Sequence, residues 1–333
     1  MRHNLFRTAG VLAAAVVVLA GCGEAGSSGT EAPPSAAAGA GAGGAPVAGD
    51  KLVVLTDDKK LQNTDNVLPA INKKASSPEL IAALDKVSAA LDTAKLVELN
   101  KAVDIDRKSS KAAAQDFATA NNLTAGLAKG KGGKVTVGAA NFSENATLGE
   151  LYGIVLTAAG YTVKVQQIGN RELYEPALEK GDITVVPEYA ATLATFLSGK
   201  VDKNAPDPSS SDLDTTVTNL KALGDKRGLV FGQASQAQDQ NAFAVTTAFA
   251  EKYALTTLSD LASKCSGAAT VLGGPAECPQ RPKCQQGLVT TYSFQAGKFD
   301  TLDAGGPLTK NGLKQGTISV GLVFSSDGAL AAG

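Results

Sequence analysis

Short apolar runs alternate along this chain with stretches in which apolar residues recur every three or four positions. A short apolar run predicts a buried strand, and the three- or four-residue spacing predicts one face of a helix. Regular alternation of the two is typical of an α/β fold with a mostly parallel sheet. The predicted strands are residues 52–55, 135–138, 163–168, 183–186, 229–231, 242–245, 270–273, 288–291 and 318–324, and the predicted helices follow Ser77 and Thr93 and span 111–121, 146–159, 172–180 and 213–227.

The first 50 residues depart from this pattern. Residues 1–21 begin with Arg2 and Arg7, continue with an apolar run too short to span a bilayer of about 30 Å, and end with small residues, which predicts an export signal. Because Cys22 follows, the segment resembles a bacterial lipoprotein signal, and that resemblance implies a lipidated Cys22 and a membrane anchor. An ordinary secretory signal is the alternative. Residues 22–50 are mainly Gly, Ala, Ser and Pro, which predicts a flexible tether.

The composition excludes several function classes. His3 is the only histidine in the sequence and lies within the predicted export signal, so the remaining chain has no imidazole for a Ser/His/Asp or Cys/His nucleophile or for a histidine metal site. With 31 Lys and Arg against 32 Asp and Glu, the net charge of −1 provides no basic excess for binding nucleic acid. We therefore expect no catalytic residue, no metal, no cofactor and no nucleic-acid partner.

Three cysteines remain once Cys22 is assigned to the anchor, so one disulfide and one free thiol are expected in an oxidising compartment. Cys278 and Cys284 enclose a short stretch with two prolines that could close as a loop, which favours this pair over a pair with Cys265. A zinc site of three cysteines without histidine is the weaker alternative.

The residues that follow the predicted strands are rich in aromatic and amide side chains. In open α/β sheets, ligands bind beyond the carboxyl ends of the strands, so these positions are the first candidates for a site. The clusters are residues 141–145 (NFSEN), 187–189 (PEY), 238–243 (QDQNAF) and 324–327 (FSSD). They contain few carboxylates and no nucleophile with a base, which indicates a binding cleft rather than a catalytic centre.

This chain resembles the substrate-binding proteins of osmoprotectant ABC transporters. The segments that carry the resemblance are residues 138–145 (GAANFSEN), 181–183 (GDI) with 187–189 (PEY), 238–243 (QDQNAF), 303–309 (DAGGPLT) and 52–59 (LVVLTDDK). Members of that family bind glycine betaine, choline and related quaternary ammonium compounds, and the resemblance covers nearly all of residues 52–332. It implies a two-lobed, periplasmic-binding-protein-like α/β fold of type II. It also implies a small quaternary ammonium solute between the lobes, and a permease with its ATPase as partner.

The order of the resembling segments differs from that of the family. Residues 51–129 resemble the family's C-terminal segment, whereas residues 134–235, which follow here, resemble its N-terminal segment. We therefore expect a circular permutation with new ends at a former interlobe crossing, a continuous first lobe at 51–235, a second lobe at 236–333 and a single crossing. This arrangement requires residues 52–55 to join the first lobe's sheet. The alternative is that the N-terminal piece is an unrelated helical domain.

A quaternary ammonium has no N–H to donate, so its recognition depends on aromatic faces, each of which attracts the cation by roughly 0.5 to 2 kcal/mol. The resemblance implies a cage of aromatic and amide side chains, with Phe in place of the family's frequent Tyr at positions 243 and 324. The predicted ligand-binding residues are Tyr189, Tyr292, Phe243, Phe324, Asn145 and Asn241. For Phe243 and Phe324 the alternative role is core packing, and for Asn145 it is a helix cap.

The sequence thus predicts a monomeric, lipid-anchored extracytoplasmic receptor that closes on its solute by a hinge motion and delivers it to a membrane permease. Two alternatives stay open within the same fold: a different polar solute, such as an amino acid or a betaine-bearing metabolite, and a sensory or structural lipoprotein. An enzyme that uses carboxylates alone is the alternative from another class.

Overall fold

The computed structural model describes residues 44–332. The predicted export signal at 1–21, Cys22 and the tether as far as residue 43 lie outside the described residues. Two five-stranded sheets divide the described chain into two lobes. Across residues 44–332, no helix is at once long enough and apolar enough to cross a membrane.

Within this range, strands and helices alternate along much of the chain. The strands are β1 (Leu52–Val54), β2 (Val67–Asn72), β3 (Lys134–Ala139), β4 (Thr162–Gln167), β5 (Val185–Tyr189), β6 (Leu229–Phe231), β7 (Asn241–Thr246), β8 (Gly267–Gly274), β9 (Ala296–Thr301) and β10 (Val320–Phe324). The helices are α1 (Pro78–Ala90), α2 (Thr93–Asp104), α3 (Ser110–Ala120), α4 (Ser143–Ala158), α5 (Arg171–Lys180), α6 (Ala190–Val201), α7 (Leu213–Arg227), α8 (Thr247–Tyr253), α9 (Leu258–Cys265), α10 (Gln285–Tyr292) and α11 (Pro307–Gln315).

The sheet of the first lobe has the strand order β4-β3-β5-β2-β6. β3 runs parallel to β4 and β5, whereas β2 is antiparallel to β5 and β6. Strand β2 is buried along its whole length although Pro69 has no N–H to donate. Pro69 lies opposite Pro187 of β5, so neither residue has to donate to the other strand at this point.

Alternate residues of β2 face two helical layers. Val67 and Ile71 pack into a core shared with α1–α4, whereas Leu68 and Ala70 pack into a core shared with α5–α7. A strand that is buried on both faces needs apolar residues throughout, as is usual when helices cover both sides of a sheet.

Helix α1 begins where the sequence predicts it. The hydroxyl of Ser77 accepts a hydrogen bond from the backbone N–H of Leu80 (3.2 Å), and Pro78 occupies the first helical position. Leu84 and Val87 follow Leu80 on the same face and are buried in the first lobe's core. This face fixes the helix against the sheet.

The sheet of the second lobe has the order β1-β7-β10-β8-β9. β7 is antiparallel to both β1 and β10, and β8 is parallel to β10 and β9. The predicted strand at 288–291 is wrong, because this stretch lies in α10, where Leu288 and Tyr292 are one turn apart and both buried. Strand β9 was not predicted because its sequence, AGKFDT, contains no apolar run.

Strand β1 joins the second lobe and not the first. It pairs with β7 from Leu52 opposite Thr246 to Val54 opposite Ala244. The chain crosses to the first lobe before β2 and returns after β6, so two connections, residues 55–66 and 232–240, join the lobes. The predicted lobe boundaries at 51–235 and 236–333, the single crossing and the predicted cut at a crossing are therefore wrong.

The alternative of an unrelated helical domain at the N-terminus is also wrong. β2 lies between β5 and β6 in the sheet of the first lobe. Helices α1–α3 share one hydrophobic core with α4, β3 and β5. Residues 67–120 are therefore part of the first lobe.

The predicted tether ends before residue 50. Val47 packs against the second lobe's core, and its carbonyl accepts a hydrogen bond from the hydroxyl of Thr246 (2.8 Å). The N–H of Gly49 donates to the carbonyl of Lys314 (3.0 Å). Residues 44–50 thus belong to the second lobe, and the tether prediction is wrong for this part.

Candidate functional site

A cavity of about 970 Å³ lies between the two lobes. The first lobe lines it with the residues that follow β3, β4 and β5, because the carboxyl ends of these parallel strands meet at one edge of the sheet. The second lobe contributes the adjoining ends of β7 and β10. Both connections between the lobes complete the lining.

The two connections run side by side behind the cavity. Asn66 of the first connection pairs with Gln238 of the second in an antiparallel bridge. The N–H of Asp239 donates to the carbonyl of Asp65 (3.1 Å). Paired connecting segments of this kind are where two-lobed proteins hinge.

Aromatic rings from both lobes line the cavity. Phe142, which follows β3, stacks on Tyr189 at the end of β5, with ring centroids 6.2 Å apart and an interplanar angle of 28°. Phe324, the last residue of β10, lines the cavity from the second lobe. The side chains of Phe142 and Phe324 are 45% and 39% exposed, so both rings present faces to a ligand.

The hydroxyl of Tyr189 points away from solvent toward a buried acid. It donates a hydrogen bond to Oε1 of Glu144 (2.6 Å), a residue in the first turn of α4. Burial raises the pKa of Tyr189 well above its usual value, so the hydroxyl keeps its proton. Burial also raises the pKa of Glu144 to about 8, with the charge of Asp239 acting in the same direction.

Glu144 belongs to a buried network that joins the two lobes. The amide of Asn100 in α2 donates both to Glu144 and to the carbonyl of Ser326 in the second lobe, the latter at 2.8 Å. The hydroxyl of Ser326 donates to Asp239, which lines the cavity (2.9 Å). Burial raises the pKa of Asp239 as well. Glu144 and Asp239 are thus neighbouring acids with raised pKa values, and they form a titratable pair beside the aromatic rings.

Arg171, at the start of α5, is neutralised within the first lobe. Its guanidinium donates to both carboxylate oxygens of Glu188, at 2.9 and 2.7 Å. The hydroxyl of Tyr174 donates to the same carboxylate (2.8 Å). Glu188 is fully buried, whereas Arg171 and Tyr174 line the cavity, so this bidentate pair fixes part of the cavity wall.

Asp65, in the first connection, caps α6. Its carboxylate accepts hydrogen bonds from the N–H groups of Ala191 (2.8 Å) and Thr192 (3.0 Å), at the helix N-terminus. Burial raises the pKa of Asp65 to about 7, against the effect of these hydrogen bonds. The side chain also lines the cavity.

A disulfide closes the loop that follows β8. It joins Cys278 to Cys284, whose Cα atoms are 5.1 Å apart, and this is the pair that the sequence favours. Cys265 is a free, buried thiol. The loop brings Lys283 to the cavity wall.

Three of the six predicted ligand-binding residues lie together in the cavity. They are Tyr189, Phe324 and Asn241. Phe324 and Asn241 are direct partners in the register between β10 and β7. Side chains at such positions are neighbours on one face of the sheet.

The other three predicted residues do not line the cavity. Phe243 is 1% exposed within the second lobe's core. The hydroxyl of Tyr292 donates to Asp57 in the first connection, and the side chain is buried in the second lobe's core. Asn145 accepts from the N–H of Ala140 (2.7 Å) and donates to the carbonyl of Pro187 (2.9 Å), so it fixes the loop after β3 against β5.

Most of the cavity lining was not among the predicted ligand-binding residues, and Phe142, Asp65 and Lys283 are examples. Phe142 belongs to the cluster at residues 141–145, and its position shortly after the predicted strand 135–138 could have identified it as a cavity residue. Asp65 lies in a connection that the single-crossing prediction left out. Lys283 reaches the cavity only through the fold of the second lobe, which no local pattern reveals.

Comparison with known proteins assigns the chain to a family. A model of the substrate-binding domain of the ABC-type glycine betaine transport system matches residues 45–120 and 133–332. The glycine betaine-binding protein YehZ of Escherichia coli (strain K12) is 26% identical over 206 residues, which span 60% of this chain and 66% of YehZ, just under two thirds of its length. A crystal structure of a glycine betaine/carnitine/choline ABC transporter is 22% identical with a TM-score of 0.46, over 60% of this chain and 70% of that one.

The family match covers both lobes and both connections that line the cavity. The chain therefore belongs to the family of substrate-binding domains of ABC-type glycine betaine transport systems.

Proposed function

We propose that this chain is the extracytoplasmic solute receptor of an ABC importer and that it binds a small quaternary ammonium compound, such as glycine betaine or choline, between its lobes. The observation that carries the proposal is the aromatic lining of one cavity by Phe142 and Tyr189 from the first lobe and Phe324 from the second. Such rings attract a cation that cannot donate an N–H hydrogen bond. The name of the Escherichia coli relative supports the same ligand class.

The carboxyl groups around the cavity favour a positively charged ligand. Asp65, Asp207 and Asp239 line it, and Glu144 lies behind Tyr189. Hydrogen bonds lower the pKa of Asp207, so its negative charge adds to the attraction of the rings without a direct ion pair to the quaternary nitrogen. Burial raises the pKa values of Asp65, Asp239 and Glu144, so these groups contribute less negative charge.

The transport role follows from the family. The receptor would deliver its solute to a permease that is driven by an ATPase. We also propose that Cys22 is lipidated and that residues 23–43 form a tether, which as a Gly-rich coil would span about 25 Å on average. The body would then work beside the permease at the outer face of the membrane.

The family consists of solute-binding proteins and is not an enzyme class. The proposal is that the solute is bound and released unchanged. The buried acids Glu144 and Asp239 would hold the hydrogen-bond network beside the rings and would not act as an acid and base in a reaction.

Isothermal titration calorimetry with glycine betaine, choline and proline betaine tests the aromatic site. Phe142→Leu keeps an apolar side chain but removes the π face, so the affinity for each quaternary ammonium should fall by about 2- to 30-fold. Tyr189→Ala removes the stacked ring beneath it and should weaken binding further. Tyr253→Leu is the matched control, because Tyr253 packs on Phe249 in the second lobe and does not line the cavity.

The outcomes separate the alternatives. Unchanged affinity in both Phe142→Leu and Tyr189→Ala would contradict the aromatic site. Failure of the wild type to bind any of the three compounds would contradict the ligand class and favour another polar solute. Chemical conversion of a bound compound, followed by mass spectrometry, would contradict the proposal of a receptor without turnover.

A further inference from the structure

A chain of buried hydrogen bonds connects Tyr189 of the first lobe to the segment that carries Phe324 in the second. The hydroxyl of Tyr189 donates to Oε1 of Glu144 (2.6 Å), and the amide of Asn100 donates to Oε2 of the same carboxyl group. That amide also donates to the carbonyl of Ser326 (2.8 Å), two residues after Phe324. Rings from opposite sides of the cavity are therefore linked through Glu144 and Asn100.

Asp239 extends this network to the connections between the lobes. Its carboxylate accepts a hydrogen bond from the hydroxyl of Ser326 (2.9 Å), and its N–H donates to the carbonyl of Asp65 in the other connection (3.1 Å). The side chain of Asp239 also lines the cavity. The lobes, their connections and the cavity thus share one set of polar contacts.

One acceptor of this network lacks a donor. The amide of Asn100 donates to Glu144 and to Ser326, while its Oδ1 is buried without a hydrogen-bond partner among the residues that the structure describes. The hydroxyls of Tyr189 and Ser326 already donate to the carboxyl groups. An ionised carboxylate only accepts hydrogen bonds, whereas a protonated one also donates. The polar contacts therefore favour a proton on the carboxyl pair of Glu144 and Asp239.

The charges around this pair favour the same proton. No ion pair found among residues 44–332 includes Glu144 or Asp239. Burial and then the charge of Asp327 raise the pKa of Asp239, although Asp327 is itself bound to Lys310 (2.7 and 3.0 Å). The titratable and charged groups that face the pair include Tyr189 on β5, Asp65 in the first connection, Asp327 after β10 and Lys310 on α11.

We propose that Glu144 and Asp239 hold a proton between the lobes and that this proton positions Tyr189 relative to Phe324, so that its release separates the rings and weakens ligand binding. The inference rests on the proposed function and adds a pH-sensitive control to its site. Glu144 is a positioning residue, because it acts on the ligand through Tyr189. Two ionised carboxylates in one buried cluster repel each other and require water, which enters only if the lobes part at this contact.

The sign of the pH dependence separates this role from direct attraction of the ligand. With the network intact the pKa of Glu144 is about 8, and exposure to water on parting of the lobes returns it toward the ordinary value of 4.5. The affinity is therefore highest while the proton is bound and falls as the pH rises through 8. An ionised Asp239 that attracted the quaternary nitrogen directly would raise the affinity at high pH instead.

Isothermal titration calorimetry on the full chain, with glycine betaine and with choline from about pH 6 to about pH 9, tests the proposal. Neither compound titrates in this range. The affinity of the wild type should fall by about fivefold or more, at a rate of at most about tenfold per pH unit for one proton. Glu144→Gln cannot release a proton at this position, so its affinity should lose at least about half of the pH dependence.

Glu175→Gln is the matched control for the loss of one buried acid. Glu175 is 1% exposed in α5, burial raises its pKa to about 8 as well, and it does not line the cavity. Its variant should keep the pH dependence of the wild type. Titration of the wild type in two buffers of different ionisation enthalpy needs no variant, and near pH 8 binding should take up as much as about one proton per ligand.

An affinity of the wild type that is constant or rises with pH would overturn the proposal, and so would binding without proton uptake. An equal pH dependence in wild type and Glu144→Gln, or an equal effect of Glu144→Gln and Glu175→Gln, would overturn the assignment to Glu144. Absence of binding of both compounds to the wild type at every pH would instead overturn the proposed function.

Discussion

The ring and the hydroxyl of Tyr189 have separate functions. The ring stacks on Phe142 at the cavity, whereas the hydroxyl donates to the buried Glu144. In Tyr189→Phe the ring face is kept, but Glu144 loses a hydrogen bond in a buried site. We expect the free energy of unfolding to fall by about 1 to 3 kcal/mol. The affinity for a quaternary ammonium should change by less than the loss in Tyr189→Ala.

Tyr152 offers a matched control for this substitution. Its side chain is also fully buried in the first lobe, but its hydroxyl has no hydrogen-bond partner among the residues that the structure describes. Tyr152→Phe should therefore leave the free energy of unfolding unchanged or raise it slightly. Urea denaturation of both variants checks this contrast. Equal destabilisation by the two substitutions would show that the bond to Glu144 adds no stability.

The raised pKa of Glu144 makes stability depend on pH. The pKa of Glu144 is about 8 in the folded protein, against an ordinary value of 4.5. Between pH 4.5 and pH 8, Glu144 is therefore mostly protonated in the folded protein and mostly ionised in the unfolded chain. The stabilising contribution is thus complete below about pH 4.5 and is lost as the pH rises through 8. Asp65, with a pKa raised to about 7, acts in the same direction.

We therefore expect the free energy of unfolding to decline between pH 5 and pH 8 and expect Glu144→Gln to reduce that decline. The amide cannot release a proton, so the slope should become shallower by at most about 1.4 kcal/mol per pH unit. Urea denaturation at each pH measures both slopes. Identical slopes in wild type and variant would mean that Glu144 is ionised in the folded protein.

Among the elements, strand β2 was hardest to predict. Pro69 interrupts its sequence, and a proline within an apolar run argues against a central strand. The opposing Pro187 removes this objection, but that pairing joins residues 118 positions apart and is invisible to a local pattern. Because β2 was not among the predicted strands, the sequence indicated only one crossing between the lobes. Asp65 and the other cavity residues of the first connection were therefore not among the predicted ligand-binding residues.

The aromatic residues in the strands show that a local sequence pattern does not predict which side chains line the cavity. Phe243 and Phe324 both occur in apolar strands, and resemblance nominated both. Phe324 ends β10 at the cavity, whereas Phe243 lies inside β7 and is covered by the second lobe's core. Which residue meets a ligand depends on where the strand ends relative to the cavity, and that is set by the packing of whole elements.

At the scale of the molecule, motifs predicted the two-lobed fold but not the distribution of the chain between the lobes. The three residues of β1 fit either sheet, since a run this short carries no information about its partner strand. Their pairing with β7 is decided by long-range contacts. With β1 in the second lobe, the chain crosses twice between the lobes, and the paired connections place Asp65 and Asp239 at the cavity.

The lobes also meet through the end of the second lobe. Residues 328–332 follow β10 and pack against α2 of the first lobe. A Cβ at Gly328 would lie 2.5 Å from the backbone nitrogen of Lys101 and 2.8 Å from the carbonyl carbon of Asn100. Neither backbone atom can move alone, so Gly328→Ala should push the lobes apart and loosen the nearby bond between Asn100 and Ser326.

An open average structure binds a solute more weakly, because the rings of the two lobes no longer meet around it. Small-angle X-ray scattering should therefore give Gly328→Ala a larger radius of gyration than the wild type, and calorimetry a lower affinity for glycine betaine. Gly199→Ala is the control, since Gly199 is exposed in α6 with open space around its Cβ position and should gain about 0.5 to 1 kcal/mol of stability. If Gly328→Ala matched the wild type in both size and affinity, the contact with α2 would have no part in closing the lobes.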